Sequence, residues 1–267
     1  MSAEPPRAGS VERWAWDYVL STSLDEKLAP ATPPETWEPA PPARRIDAPG
    51  RPAELRVVAR AEKKRGLGTP RGRAQVLHAF FHHELQAAEL MAWAVLAFPD
   101  APREFREGLL RIALDEVRHM RLYVGAIERL GHRIGEFAVR DWFWERVPSC
   151  PDAASFVAVM GLGLESANLD HSAHFAAAFR EAGDEESARV QELVGLEEIA
   201  HVRFGVRWFT TLTGGLDFAS WRRALPAPLS PLLMRGLPLR RDARARAGQP
   251  EDFLDELERW MPDTPGS

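Results

Sequence analysis

Stepped by three and four, the apolar positions between residues 72 and 215 fall into four long stripes. The first reads Leu77, Phe80, Glu84, Ala87, Met91, Val95, Phe98. The second reads Phe105, Leu109, Ile112, Glu116, His119, Tyr123, Ile127, Leu130. The third is Ala158, Leu162, Glu165, Leu169, Ser172, Ala176, Phe179, and the fourth Val194, Glu198, His201, Gly205, Trp208, Leu212. That period belongs to amphipathic helices, and no strand-like alternation of useful length interrupts it. Proline placement agrees. Ten of the 22 prolines precede residue 54 and seven follow residue 225, which leaves proline-free runs at 71–98, 103–147 and 152–225. Because proline breaks helix interiors, these are the runs in which long helices can form. The pattern predicts helices over 72–98, 100–131, 152–183 and 184–215. Asp100 is the cap candidate of the second, with Pro102 in its first turn. Each is close to thirty residues, roughly 40–45 Å long at 1.5 Å per residue.

The connections set the expected topology. About three residues join the first two helices and one or two join the last two, so each pair is expected to be an antiparallel hairpin. About twenty residues separate the hairpins, enough to cross the length of a bundle. Two hairpins with one long crossover describe an all-α, ferritin-like four-helix bundle. The expected organisation is an N-terminal arm over 1–71, the bundle over 72–213 and a C-terminal arm over 214–267. The arm includes a short helix over 11–20 with Ser10 as its cap, then a Pro- and Ala-rich extended stretch over 22–53. After the bundle come a short helix near 218–225, a loop over 226–239 and a last short helix over 250–260. Trp14, Trp16, Trp37, Trp221 and Trp260 lie in these flanks, and their apolar area predicts that the arms pack on the bundle.

Composition narrows the class. The 267 residues are 45% hydrophobic and 27% charged, with a net charge of −5, which is ordinary globular composition. The acidic balance disfavours a nucleic-acid partner without excluding one. The run from Arg235 to Arg246 holds five arginines and one aspartate and could touch phosphates, although a solvated surface arm is the commoner role for such a run. A single cysteine, Cys150, excludes an internal disulfide and any cysteine-based zinc or iron–sulfur site. The N-terminus has no secretory apolar run, and the longest apolar run, 90–98, is too short to cross a membrane. A soluble, cytoplasmic protein is expected.

The polar residues inside the apolar stripes carry the chemistry. Glu84, Glu116, Glu165 and Glu198, with His119 and His201, would point into one core. Buried carboxylates without compensation are strongly disfavoured and repel one another. Two divalent cations would neutralise four of them. Glu and His at i and i+3 share one helical face, so one metal can take both. Carboxylate and imidazole ligands with open positions suit iron or manganese better than structural zinc.

The chain also repeats itself. Residues 114–122, Leu-Asp-Glu-Val-Arg-His-Met-Arg-Leu, match 196–204, Leu-Glu-Glu-Ile-Ala-His-Val-Arg-Phe. Glu84 precedes Glu116 by 32 residues and Glu165 precedes Glu198 by 33. One Glu-x-x-His arises by chance roughly once in a chain like this; two, each on a core stripe behind a matched upstream Glu, do not. An ion-pair network without metal would need opposing charge, and Arg118, Arg121 and Arg203 lie off the stripes. Glu89 is the rival to Glu84, but it sits about 140° around the helix from it. His82, His83, His171 and His174 read as surface or supporting histidines. Tyr123 reads as a core tyrosine or a redox neighbour of His119, and Asn168 as a supporting neighbour of Glu165. Gly161, Gly163, Gly195 and Gly205 either let helices approach closely or open a pocket.

These residues resemble the ferritin-like di-iron carboxylate superfamily over about 72–213. The wording at 81–90, 115–119 and 197–205 is similar to an uncharacterised family within it, domain of unknown function 455, related to tRNA isopentenyl-adenosine hydroxylases. The resemblance implies Glu84 and Glu165 as terminal ligands, Glu116 and Glu198 as bridges, and His119 and His201 as terminal imidazoles. It implies two iron ions, with manganese the other candidate, and dioxygen as co-substrate. The expected function is an oxygen-activating hydroxylase of a small-molecule or modified-base substrate. An external reductase is expected as partner, since no Gly-x-Gly-x-x-Gly fingerprint follows a strand. Ferroxidase activity, manganese-catalase peroxide chemistry and a non-enzymatic metal-stabilised bundle are the alternatives. Substrate and oligomeric state stay open.

Overall fold

The computed structural model describes residues 4–60 and 66–262. It divides into two compact units, Met1–Pro148 and Ser149–Ser267. The described residues are helical, with a lone parallel bridge between Val57 and Val139 in place of any sheet. Among them no helix is long and apolar enough to cross a membrane.

The first unit holds α1 (Val11–Leu20), α2 (Leu24–Leu28), α3 (Pro70–Ala97) and α4 (Arg103–Arg129). Helix α1 starts where expected, with the Ser10 side chain accepting from the Arg13 N–H. Helix α3 begins two residues early, because Thr69 caps it and Pro70 supplies a fixed φ at its first turn. Asp100 is not the cap of α4. That place falls to Pro102, which makes no side-chain capping bond. Helices α3 and α4 form an antiparallel hairpin. Arg106 donates to the Val95 carbonyl at 3.0 Å near the turn, and Phe80 stacks on Tyr123 at 5.8 Å far from it.

The stretch 22–53 is not wholly extended. Helix α2, capped by Ser23, interrupts it and carries the buried Lys27. The arm packs on the hairpin as its tryptophans require. Trp37 lies under the guanidinium groups of Arg103 and Arg106, and Arg106 also pairs with the buried Glu12 at 2.7 Å. The segment after α4 is held by Gln86, whose side-chain oxygen accepts from the Phe143 N–H at 3.0 Å and whose amide donates to the carbonyls of His82 and Arg140.

His78, on the same helix, accepts from the Gly135 N–H through Nε2 at 2.9 Å. Burial first, and the neighbouring His82 second, push its pKa down to about 4. A base whose folded pKa is depressed stabilises the fold above its unfolded pKa and loses that contribution as pH falls toward the folded value. Unfolding free energy should therefore drop between about pH 6.5 and 4, by on the order of 3 kcal/mol from this group. Urea titrations of wild type and His78→Gln across that range test the assignment. An unchanged slope in the variant would refute it.

The second unit holds α5 (Ala153–Val159), α6 (Glu165–Glu181), α7 (Glu185–Thr213), α8 (Phe218–Ala224), α9 (Arg241–Arg246) and α10 (Glu251–Arg259). Asp152 and Asp184 cap α5 and α7, accepting from the N–H groups of Ser155 and Ser187. Gly214, at φ 86°, closes α7 in the left-handed conformation that glycine adopts without cost. The expected helix over 152–183 is not uniform. A π-turn over Met160–Leu164 separates α5 from α6, and there the Glu165 N–H bonds back five residues to the Met160 carbonyl. Helices α6 and α7 pair antiparallel: Asn168 meets Glu198, while a Cβ on Gly195 would meet Ser172 Oγ at 2.3 Å. The glycines serve close approach. A Cβ on Gly161 would stand 2.8 Å from the Gly205 Cα, backbone against backbone.

The C-terminal arm packs on this hairpin. Trp221 is fully buried and donates to the Ala158 carbonyl at 2.9 Å, beside Phe218 and Phe253. Ala243 and Ala247 of the arm join Leu169, Ile199 and Val202 in one apolar cluster. The stretch 226–239 is not all loop, since Pro231–Met234 forms a 3₁₀ turn. The arginine run spends its charge inside the unit. Arg235 donates to the carbonyls of Leu257, Glu258 and Trp260; Arg240 pairs with Asp242; Arg241 pairs with Glu251, Asp255 and Glu258. Arg244 departs from a solvated arm altogether: it is fully buried against Asp170 at 2.7 Å.

Candidate metal centre

Each hairpin places three potential ligands together. In the first unit, Glu84 of α3 and Glu116 and His119 of α4 are buried, and each offers a ligand atom within 4.8 Å of the others. In the second unit, Glu165 at the head of α6 and Glu198 and His201 of α7 do the same. The internal geometry matches. His119 Nδ1 lies 3.0 Å from a Glu116 oxygen, and His201 Nδ1 lies 2.8 Å from a Glu198 oxygen. This is the face-sharing that i, i+3 spacing dictates. Asn168 donates to the other Glu198 oxygen at 3.2 Å, so it orients that carboxylate. Tyr123 is fully buried against Phe80, one turn beyond His119.

The donor set fits a divalent cation. A buried carboxylate needs a counter-charge, and four of the buried cations lie against acids outside the triads. Lys27 serves Glu89, Arg44 serves Glu38, Arg106 serves Glu12 and Arg244 serves Asp170. Oxygen and imidazole donors in this ratio are the ligands that iron and manganese take.

A family model described as "Protein of unknown function (DUF455)" matches residues 10–255, which span both triads and most of both arms. The chain belongs to the DUF455 family. An uncharacterized protein from Haemophilus influenzae is 28% identical over 211 residues, covering 75% of this chain and 73% of its own. No solved structure matches the chain.

In this DUF455 protein the two halves also share a feature behind the triads. Five residues after Glu84 comes Glu89, and five after Glu165 comes Asp170. Both are buried, and each is clamped by a cation from the flanking arm of its own unit. Glu89 meets Lys27 at 2.8 Å and Arg51 at 2.6 Å, and accepts from the Trp144 indole N–H at 2.8 Å. Burial alone would raise its pKa; the charges of Lys27 and Arg51 outweigh that and hold the carboxyl below the ordinary glutamate value. Asp170 meets Arg244 and accepts from the backbone N–H groups of Gly236 and Arg240 at 2.8 and 2.7 Å. Glu89 is thus occupied as an ion-pair partner, and Glu84 is the glutamate of α3 that joins the triad.

The remaining histidines of interest stay outside the triads. His82 Nε2 bonds Asp141 at 2.9 Å, which Arg51 also grips. His83 stacks on Phe143 at 5.2 Å, and His174 lies edge-on to Phe175. His171 lies at the close approach of Gly236. Sequence reasoning missed the network of Lys27, Arg51, Glu89, Asp141 and His82, and Tyr18 beside it. Burial pushes the Tyr18 hydroxyl pKa well up, and the charges of Glu89 and Glu116 add to it. The repeated acid five residues past each first-helix glutamate was the available signal.

Proposed function

We propose that this DUF455 protein is a ferritin-like di-metal carboxylate oxidoreductase, in which the two triads act together to hold two iron ions for dioxygen-dependent hydroxylation of an organic substrate. One observation carries the reading: two buried Glu plus Glu-x-x-His sets of matching internal geometry. Glu84, Glu116 and His119 would supply the metal ligands of the first hairpin, and Glu165, Glu198 and His201 those of the second. Bound iron would supply dioxygen activation through positions left open by the six protein ligands.

The chain's own residues supply the surroundings. Asn168 holds Glu198 by its second oxygen. Phe80, Leu77, Ile112 and Val117 bury their side chains along α3 and α4 on and beside the ligand stripe, which keeps bulk water away from a reactive oxidant. The electrons would come from a separate reductase. Anaerobic iron(II) loading followed by dioxygen tests the reading. About two irons per chain and an oxidation-dependent near-ultraviolet absorbance are expected. Two manganese ions with rapid peroxide consumption would move the assignment to catalase chemistry, and no bound metal would end it.

A further inference from the structure

Glu165 follows directly on the π-turn over Met160–Leu164. A π-turn holds one residue more than an α-turn, so closing it into a regular helix would swing everything beyond it by about 100°. Such a turn persists only where its surroundings hold it. The C-terminal arm does so from two sides.

Met234, fully buried in the 3₁₀ turn, covers Gly163 so closely that a Cβ there would lie 2.5 Å from its sulfur. The Ser166 hydroxyl donates to the Gly161 carbonyl at 3.3 Å, inside the turn. The Gln249 amide donates to that hydroxyl at 2.8 Å, and its oxygen accepts from Arg244 at 3.1 Å. Arg244 in turn grips Asp170, on the same helix as Glu165. Ser166, Gln249 and Arg244 are all buried. The chain of bonds leaves α6 at Asp170, runs through the arm and returns to the π-turn one residue from the ligand.

The geometry points to Gln249 and Met234 as positioning residues for Glu165: they keep the π-turn open and so set the direction of that carboxylate. This rests on the di-metal reading proposed above. Neither residue lies on a ligand stripe, and both belong to the arm. Supporting partners of metal ligands are worth about ten- to hundredfold in metal affinity.

The test is anaerobic manganese(II) titration of the full chain, followed by electron paramagnetic resonance, on wild type and Gln249→Leu. Wild type is expected to bind two ions and give the broad signal of a coupled pair. Gln249→Leu is expected to lose about ten- to hundredfold in affinity at one ion and keep the other, with the six-line signal of an isolated ion appearing. In the metal-free chains, amide exchange over 160–166 should rise in the variant while exchange in α3 and α4 stays put. If Gln249→Leu does not fold, Met234→Ala takes its place, since it uncovers Gly163 without removing a hydrogen bond. Two ions bound at wild-type affinity, with unchanged exchange over 160–166, would overturn the inference alone. A wild-type chain that binds no manganese or iron would instead overturn the di-metal reading, and the inference with it.

Discussion

On the di-iron reading proposed above, Glu198→Ala is expected to lower bound iron from about two ions per chain to at most one, and Glu84→Ala to do the same, while Glu89→Ala is expected to keep the metal. The contrast follows from where the carboxylates are committed. Glu198 lies beside His201 and Asn168, whereas Glu89, one turn and a half beyond Glu84, is already matched by Lys27 and Arg51. Losing Glu89 leaves Lys27 buried without its carboxylate, while Arg51 keeps Asp141, so that variant should lose about 3–5 kcal/mol of stability without losing metal. Metal binding to the native state alone stabilises it by mass action, by about 4 kcal/mol when the ion is present at a thousand times its dissociation constant. For a chain of this size chelation should then lower the melting temperature by on the order of 10 °C. Elemental analysis of gel-filtered protein, beside thermal scans with and without chelator, reads both effects. Equal metal in wild type and Glu198→Ala would remove the central claim.

Arg244→Ala will cost about 3–5 kcal/mol, because it strands the Asp170 carboxylate in a buried site. Asp170 would keep the N–H groups of Gly236 and Arg240 but lose its counter-charge. The replacement of both partners, Asp170→Leu with Arg244→Met, should recover part of the loss: no charge is left to solvate, but the N–H groups of Gly236 and Arg240 lose their acceptor, at about 1–3 kcal/mol for a buried donor. Urea unfolding of the full chain measures both. Trypsin gives a second readout, as the arm over 235–246 carries arginines that become cleavable once it lifts from α6. A single variant that costs no more than an exposed pair, roughly 0–1 kcal/mol, would show that Asp170 is solvated after all.

The long helices, save the π-turn that breaks the third, and their antiparallel pairing within each hairpin were legible in the sequence, as was the Ser10 cap of the short first helix. Proline spacing and period 3.6 are local signals, and Ser10, Asp152 and Asp184 cap helices by bonds that reach only three residues. The two Glu-x-x-His pairs were legible for the same reason, since Glu and His three apart on a stripe meet without help from the rest of the fold, and the matched 32- and 33-residue spacings pointed to the glutamate that each hairpin adds. What escaped depends on distant segments. The π-turn looks like ordinary helix until Met234 is seen lying on Gly163. Lys27 reads as a surface lysine of a short polar stretch, and only its reach to Glu89 buries it. Arg244 sits among four other arginines that stay at the surface or partly so, and nothing in its neighbours along the chain separates it from them. Asp100 misled because proline at the following position but one already sets the geometry of the entry to α4.

The acids five residues past Glu84 and Glu165 bear on how this protein could be divided or recombined. Each hairpin carries a buried negative charge whose counterion is donated by an arm remote in the chain: Lys27 and Arg51 precede α3, and Arg244 follows α7. The stretch that holds the two hairpins is therefore not a transferable module. Cut to residues 72–213, it would take Glu89 and Asp170 with it and leave their partners behind. Grafted onto other flanks, it would need new cations at those two places before its helices could close. The arms and the hairpins are bound to travel together, as one inheritable piece.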